Sequence, residues 1–396
     1  MTQYRGIQTL TSGQILSAKR VIDMSNEIGL LNPTAAPLTV LLKNTRKEST
    51  YSNKFEWIED DIGAKWDKIN SAYTAADATL NVATKEKFNV GDVVKNIVTK
   101  VAWRVEASTG TGAGTITVNG TTGFGETADA NGSVGDPLLI IGSAFQSGAT
   151  YPGAISTVET TDYNYIQTHM TSVEIGMQEQ LVKLYGGNQR AYSRNLKGIQ
   201  HLSEIELATW FGELEQQAAD ESPTNQVQGS RGVLEFLRAN GQNSTVGTLT
   251  EAELEKWLAK VFTYDSATPR VIFASAIFMQ AINSFGRDKI RLVPTSETYG
   301  IQITRYLSTL GEISIVPNNR VFEKDPDAAV TGYSGHAVAL RMKDLAYKYL
   351  EGGDTKLFED VKDDFYGTKD VWVTNCGLQL KLVKMHGVMD GITGYA

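Results

Sequence analysis

A chain of 396 residues with 41% hydrophobic and 21% charged residues is too long for one core and too apolar for global disorder, so two or three folded lobes are expected. The net charge of −8 argues against a dedicated nucleic-acid binder, which carries a basic stripe, but leaves room for a protein that merely encloses nucleic acid. A single cysteine, Cys376, rules out an intramolecular disulfide; the opening "MTQYRGIQTLTSGQ" lacks the pattern of a secretory signal, and no apolar run reaches membrane-spanning length, which together read as a protein made and used in a cytoplasm without a membrane partner.

Residues 11–31 carry Ile15, Leu16, Val21, Ile22 and Ile28 at helical spacings behind Thr11 or Ser12 as a cap. Pro33 and Pro37 then punctuate a second short helix that ends near Lys43. This opening reads as an arm, because it has apolar residues and too little length to bury them against itself. In "YSNKFEWIEDDI", Phe55, Trp57 and Ile58 stand beside Glu56, Glu59, Asp60 and Asp61, a mixture that marks a strand edge or a contact surface.

"ATLNV" (78–82) and "KFNVGDVV" (87–94) read as strands, the second broken by a Gly91-Asp92 turn. Residues 88–145 read as a β block of their own. "IVTKVAWRVEA" and "TITVNGTTGF" are β-branched runs, Asn119-Gly120 is a hairpin pair, and ten glycines between Glu106 and Thr150 exclude helix. Gly135-Asp136 launches "PLLIIG" much as Gly91-Asp92 launches "VV". A small antiparallel barrel or sandwich is expected there, on a long two-stranded excursion whose return is "AISTVETTDYNYIQTHMTSVEI".

After "MQEQLVKLYG", a short helix, comes a long one, "RNLKGIQHLSEIELATWFGELEQ" (194–216), expected to end before Pro223. Leu196, Ile199, Leu207, Trp210, Phe211 and Leu214 gather on one side of it, whereas Leu202 and Ile205 fall off that face. A helix touched from more than one side is therefore expected. "GSRGVLEFLRANG" and "TEAELEKWLAKVF" are amphipathic helices, the second with Thr250 as cap and Glu253 at the capping-box position. "PRVIFAS", "YGIQITRYLSTLGEISIVPN", "GHAVALRM" and "CGLQLKLVKMHGVM" supply strands around them, which makes the second half mixed α+β.

No catalytic, cofactor or metal site emerges. His169, His201, His336 and His386 are scattered without metal-ligand spacing, one cysteine cannot build a thiolate zinc site, and "GYSGH" lacks the spacing of a nucleophile elbow. "TGTGAGT" has no phosphate-binding register, and "EKDPDAA" keeps no calcium-loop spacing.

The order of "LLNPTAAPLTVLL", "KFEWIEDDI", "FNVGDVV", "DYNYIQTHMTSVEI", "IELATWFGE", "RGVLEFL" and "LTEAELEKWLAKVF", followed by a β-rich end, resembles the major capsid proteins of tailed bacteriophages over about residues 25–390. Phe55-Glu56-Trp57, the Gly91-Asp92 turn and Glu206–Gly212 carry most of that resemblance.

The resemblance implies the Hong Kong ninety-seven-type shell fold: an α+β chain with an N-terminal arm at 1–50 and an extended β loop at 51–87 and 146–170, with 88–145 inserted on the loop. It implies a peripheral domain at 171–228 and 340–396 with a spine helix at 188–220, and an axial domain at 229–339. The implied function is to self-assemble, through hexamers and pentamers, into an icosahedral or prolate head shell around double-stranded DNA held without sequence-specific contact. Implied partners are a separate scaffolding protein, since this arm is too short to be a cleaved scaffold, with portal and decoration proteins. The implied place is the virion, assembled in the bacterial cytoplasm.

Phe55, Trp57, Trp66, Leu202 and Ile205 are the expected assembly contacts. Trp57 and Trp66 stand out as anchors that an isolated loop could not bury, so that Trp57→Ala should leave a folded subunit unable to build shells. An encapsulin-like compartment shares the implied fold and ranks second, having no reason for a β insertion. A β-rich appendage or carbohydrate-binding protein sits badly with the helices after residue 174, and a hydrolase would need a site with no recognisable motif.

Overall fold

The computed structural model describes residues 36–75, 77–119, 124, 130–151, 153, 156–182, 189–218, 226–285, 293–294, 304–308, 310–318, 321–322, 332–361 and 366–395. The helix expected at 11–31 and the "EKDPDAA" loop lie outside them, as does Gly120 of the expected hairpin. The chain forms two compact units, one from residues up to Trp57 and from Tyr163 onward, the other Ile58–Asp162. The strands Lys54–Glu59 and Thr160–Tyr165 pair with each other as a two-stranded sheet.

The first unit is α+β. Its five-stranded sheet sets Lys47–Thr50 parallel to Leu345–Leu350, which pairs antiparallel with the long strand Gly367–Leu380. Gln167–Gly176 flanks that long strand on its other side, and Lys356–Phe358 also pairs with it. Along Gln167–Gly176 exposure alternates, with Thr171, Val173 and Ile175 inward and Met170, Ser172 and Glu174 outward, the period of a sheet wet on one face. A seven-stranded sheet is centred on Arg270–Ala274, parallel to Gly311–Pro317 and antiparallel to Ala337–Leu340. The apolar run of this central strand is explained by burial on both faces. Phe273 joins one core with Trp210, Val338 and Leu340, while Ile272 and Ala274 join another with Trp257 and Phe278.

Six helices are described: α1 (Pro37–Thr45), α2 (Met177–Leu181), α3 (Gln189–Phe211), α4 (Val233–Asn240), α5 (Glu251–Val261) and α6 (Ala276–Phe285). Helix α5 starts where its sequence says, with the Thr250 hydroxyl accepting from Glu253 N–H at 3.3 Å. Helix α3 is described from Gln189 and stops at Phe211, short of the expected 220. Gly212 marks the stop: a Cβ there would lie 2.3 Å from the Ser230 carbonyl, and the chain continues as the strand Glu215–Ala218 paired with Gln226–Gly229. Gly387–Asp390, from the expected peripheral segment, pairs with Ala337–Leu340 and so joins the seven-stranded sheet.

The second unit is an antiparallel barrel. Strands run in the order Trp66–Lys68, Pro137–Ser143, Asp92–Asn96, Ala102–Ala107, Gly114–Val118, Thr79–Val82. An Ile69–Val82 bridge, with Asn70 N–H donating to Asn81 O (2.8 Å) and Ala83 N–H to Lys68 O (3.1 Å), joins the two end strands and closes the ring. Closure removes both edges, and Ile69, Leu80, Val94, Trp103, Val105, Ile116 and Leu138 fill the inside. The unit thus takes in 58–162, wider than the expected 88–145, because the strands at 66–68 and 79–82 are staves of the barrel. The two Gly-Asp turns match, as their repeated spelling suggested. Gly91 and Gly135 have φ of +91° and +90°, and Asp92 and Asp136 each accept from the N–H three residues back, Asn89 at 2.8 Å and Ser133 at 3.0 Å.

Candidate functional site

Helix α3 organises the first unit, and its buried face is not the one its leucines suggest. His201, Ile205, Glu206 and Trp210 are buried, whereas Leu196 and Leu207 are 38% and 43% exposed. At about 100° per residue the inward arc is centred near Leu202 and Ile205, and the two leucines lie opposite. Two polar residues on the inward arc disguise it, and each is satisfied there.

Glu206 is wholly buried beneath the start of α1. Its Oε1 accepts from Leu38 N–H (3.0 Å) and Trp210 Nε1–H (2.9 Å), and its Oε2 from the N–H and hydroxyl of Thr39 (2.7 Å each). The N–H groups at a helix start have no partner within the helix, so a carboxylate placed there caps it from across the fold and meets the positive end of its dipole. Burial pushes the Glu206 carboxyl above its ordinary range, and the donors from Thr39, Trp210 and Leu38 pull it back. His201 spans two strands, its Nδ1 2.8 Å from the Thr171 hydroxyl and its Nε2 2.8 Å from that of Thr374. Burial holds its ring below the usual imidazole range.

Near the other end of α3, Arg190 makes a two-pronged contact with Asp370 (2.9 and 2.8 Å), and Arg194 Nε donates to the same carboxylate at 2.6 Å. Asp360 N–H adds a fourth bond at 3.0 Å. The Arg190 bond, with that from Arg194, holds Asp370 well below the carboxylate range. His386 sits fully buried between Arg341 N–H, which donates to Nδ1 (3.1 Å), and Lys381 O, which accepts from Nε2 (3.1 Å). Each of these groups ties elements of one subunit together. Among the described residues no group of three or more His, Cys, Asp or Glu side chains could hold a metal ion, and no helix is long and apolar enough to cross a membrane. Cys376 is buried, and burial pushes its thiol up to about 11, the state of an inert core residue.

The expected contact residues divide. Phe55 and Trp57 alternate inward from Lys54–Glu59 and are 7% and 5% exposed; their rings lie 6.0 Å apart, and Trp57 is 6.0 Å from Phe236. Their burial needs no neighbour, which corrects the expectation that Trp57 has nothing in its own subunit to pack on. Ile205 is likewise fully buried in the core with Leu38, Trp210 and Phe236. Its apparent misplacement came from taking the leucine face as the inner one. Leu202 is half-buried, and Trp66 is 52% exposed at the start of a barrel strand. Ile58, expected at a strand edge or contact surface, is 61% exposed, and other apolar side chains not singled out as contacts are also left outside: Leu196 and Leu207 on α3, Met170 (67%) and Ile62 (91%). The available signal was strand alternation, which turns Phe55 and Trp57 inward and Ile58 outward.

Comparison with known proteins adds a family to this geometry. The model of the family described as SU10 major capsid protein matches residues 5–393, and the chain belongs to that family. It is a phage major capsid protein, a subunit of the head shell. Solved structures similar to it include the capsid of a native GTA particle (8% identity, 97% of this chain and 100% of that one, TM-score 0.48). Microbacterium phage Oxtober96 gives 9% identity over 96% and 97% with TM-score 0.48. The holo-SrpI encapsulin complex of Synechococcus elongatus PCC 7942 gives 12% over 61% and 80% with TM-score 0.43. No curated protein matches the sequence.

Proposed function

We propose that this subunit tiles a closed head shell around double-stranded DNA by contact with copies of itself in hexamers and pentamers, and that it performs no chemistry of its own. Residues 1–50 act as the arm, the strands Lys54–Glu59 and Thr160–Tyr165 as the root of the extended loop, and the barrel as a domain carried on it. The segments 171–228 and 340–396 make the peripheral domain with α3 as its spine, and 229–339 the axial domain, completed by Gly387–Asp390. A separate scaffolding protein, a portal and decoration proteins complete the particle, which is built in the bacterial cytoplasm. The DNA is enclosed without base-specific contact, in keeping with a chain of net charge −8.

The family match along residues 5–393 carries this reading. The outward apolar side chains support it, because identical subunits that close into rings meet through unlike patches, each covered by a neighbour. Among the expected contacts, Trp66 and Leu202 keep surface for such a role. The test is to express the chain with its genomic neighbours and examine purified particles by electron microscopy and nuclease digestion. Polyhedral shells holding nuclease-resistant DNA are expected. Shells filled with protein cargo would point to a cellular compartment, and a persistent monomer would overturn the proposal.

A further inference from the structure

The barrel carries a shallow groove on its outer surface, of about 420 Å³, floored by Val93 and Ala102 and flanked by Ile141, Lys95 and Lys100, with Phe124 at its side. Three features build it. Across the pair of strands, Val93 faces Gly142 and Val94 faces Ile140, so Ile141 is the extra residue of a bulge, and a bulge re-aims its side chain. Ile141 is 58% exposed as a result. Gly142 adds no side chain, and a Cβ there would meet nothing within 4 Å, so the floor lies open. Lys100 has φ of +67°, a left-handed conformation that glycine or asparagine adopts more readily, and it follows a turn held by Asn96 Oδ1 accepting from Val98 N–H (2.8 Å). A lysine held in that conformation rims the groove with charge.

The same unit presents the complement. In the segment Ile58-Glu59-Asp60-Asp61-Ile62, two isoleucines stand 61% and 91% exposed around three acids. Ile58 and Glu59 end the strand Lys54–Glu59, and residues 60–64 that follow belong to no helix or strand, so the segment leads off a strand end along the surface. At 91% exposure Ile62 does not occupy the groove of its own chain. We propose that the Ile58–Ile62 segment of one copy docks into the barrel groove of a second copy, the isoleucines against Val93, Ala102 and Ile141 and the acids against Lys95 and Lys100. An apolar centre ringed by opposite charges gives both burial and register, and each chain holds both halves, as a shell of identical subunits requires. The inference rests on the shell reading and names one of its contacts.

The test uses the full chain expressed with its genomic neighbours, wild type and variants side by side. Lys100→Gly removes a rim charge while easing the backbone, and Gly142→Leu fills open space, so both subunits should fold as the wild type does, checked by circular dichroism and melting. Each should lower particle yield roughly tenfold, a loss equal to about 1.4 kcal/mol of contact. Asp60→Lys/Asp61→Lys and Lys95→Glu/Lys100→Glu should each fail alone, and combining the two charge reversals should restore particles. With Ile62→Cys and Ile141→Cys together, mild oxidation of particles should yield a ladder of linked chains.

Normal particle yield from folded Lys100→Gly and Gly142→Leu overturns the docking and leaves the shell reading intact. Linkage within single chains overturns it as well, and so does normal shell formation accompanied by loss of a decoration protein, which would make that protein the occupant. Absence of particles from the wild type defeats the shell reading and this inference together.

Discussion

Glu206 holds Thr39 twice, by its main-chain N–H and by its hydroxyl, across 167 positions of sequence. Through this pair and the bond to Leu38 N–H, the start of α1 is fixed to the last turns of α3 within one subunit. Glutamine keeps one acceptor oxygen and turns an NH2 group towards donors. Glu206→Gln is therefore expected to cost about 1–3 kcal/mol, the range for an unpaired buried polar group. Urea denaturation would measure it, and amide exchange should quicken at the start of α1, beginning with Leu38 and Thr39 N–H, which Glu206 holds. Unchanged exchange there would contradict the capping role.

Asp370 draws two arginines of α3 onto the long strand Gly367–Leu380. Asp370→Asn should cost about 3–5 kcal/mol, as for a broken buried ion pair. The pH dependence follows from its depressed carboxyl. Above the unfolded value, about 4, the pairing contributes in full; as pH falls below about 4 the unfolded chain takes up a proton that the folded one resists, and stability is lost. The variant should show a flatter acid limb below about pH 4 in denaturation midpoints.

The four histidines predict a second limb at higher pH. Burial lowers all of them, His169 to about 4 and His386 to about 3, with His201 and His336 lowered too. Below the ordinary imidazole value of 6.5 the unfolded chain gains charge that the folded chain refuses, so stability should decline as pH drops from 6.5 toward 4. His386→Gln should shallow this slope in the same denaturation series. Stability that rises on acidification across this range would contradict it.

Trp57 and Trp66 separate folding from assembly. Trp57→Ala should open a cavity beside Phe55 and Phe236 and cost about 3–5 kcal/mol in the isolated subunit, visible as a lowered melting temperature. Trp66→Ala, at a side chain 52% exposed, should leave melting nearly unchanged and lower particle yield. The opposite pairing of outcomes would reverse their roles.

Local rules carried the sequence a long way. The Thr250 cap and the two Gly-Asp turns were legible because each depends on neighbours within a few residues, whereas the barrel's outer staves were not, since Trp66 pairs with Leu139 far along the chain. The inward face of α3 was not, since His201 and Glu206 look like surface residues until Thr171, Thr374 and Thr39 arrive from distant segments to satisfy them. Gly212, just past the end of α3, leaves no room for a side chain beside the Ser230 carbonyl, another distant contact. Trp57 resembled an interface residue because Phe236, which covers it, lies 179 positions along the sequence.

The most direct measurement is sedimentation velocity, paired with electron microscopy, on the wild-type chain produced with its genomic neighbours. If many copies together cover Leu196, Leu207, Met170 and Ile62, the protein will sediment as closed particles of uniform size. A single slow boundary at monomer mass, persisting at every concentration and with all partner proteins present, would contradict that.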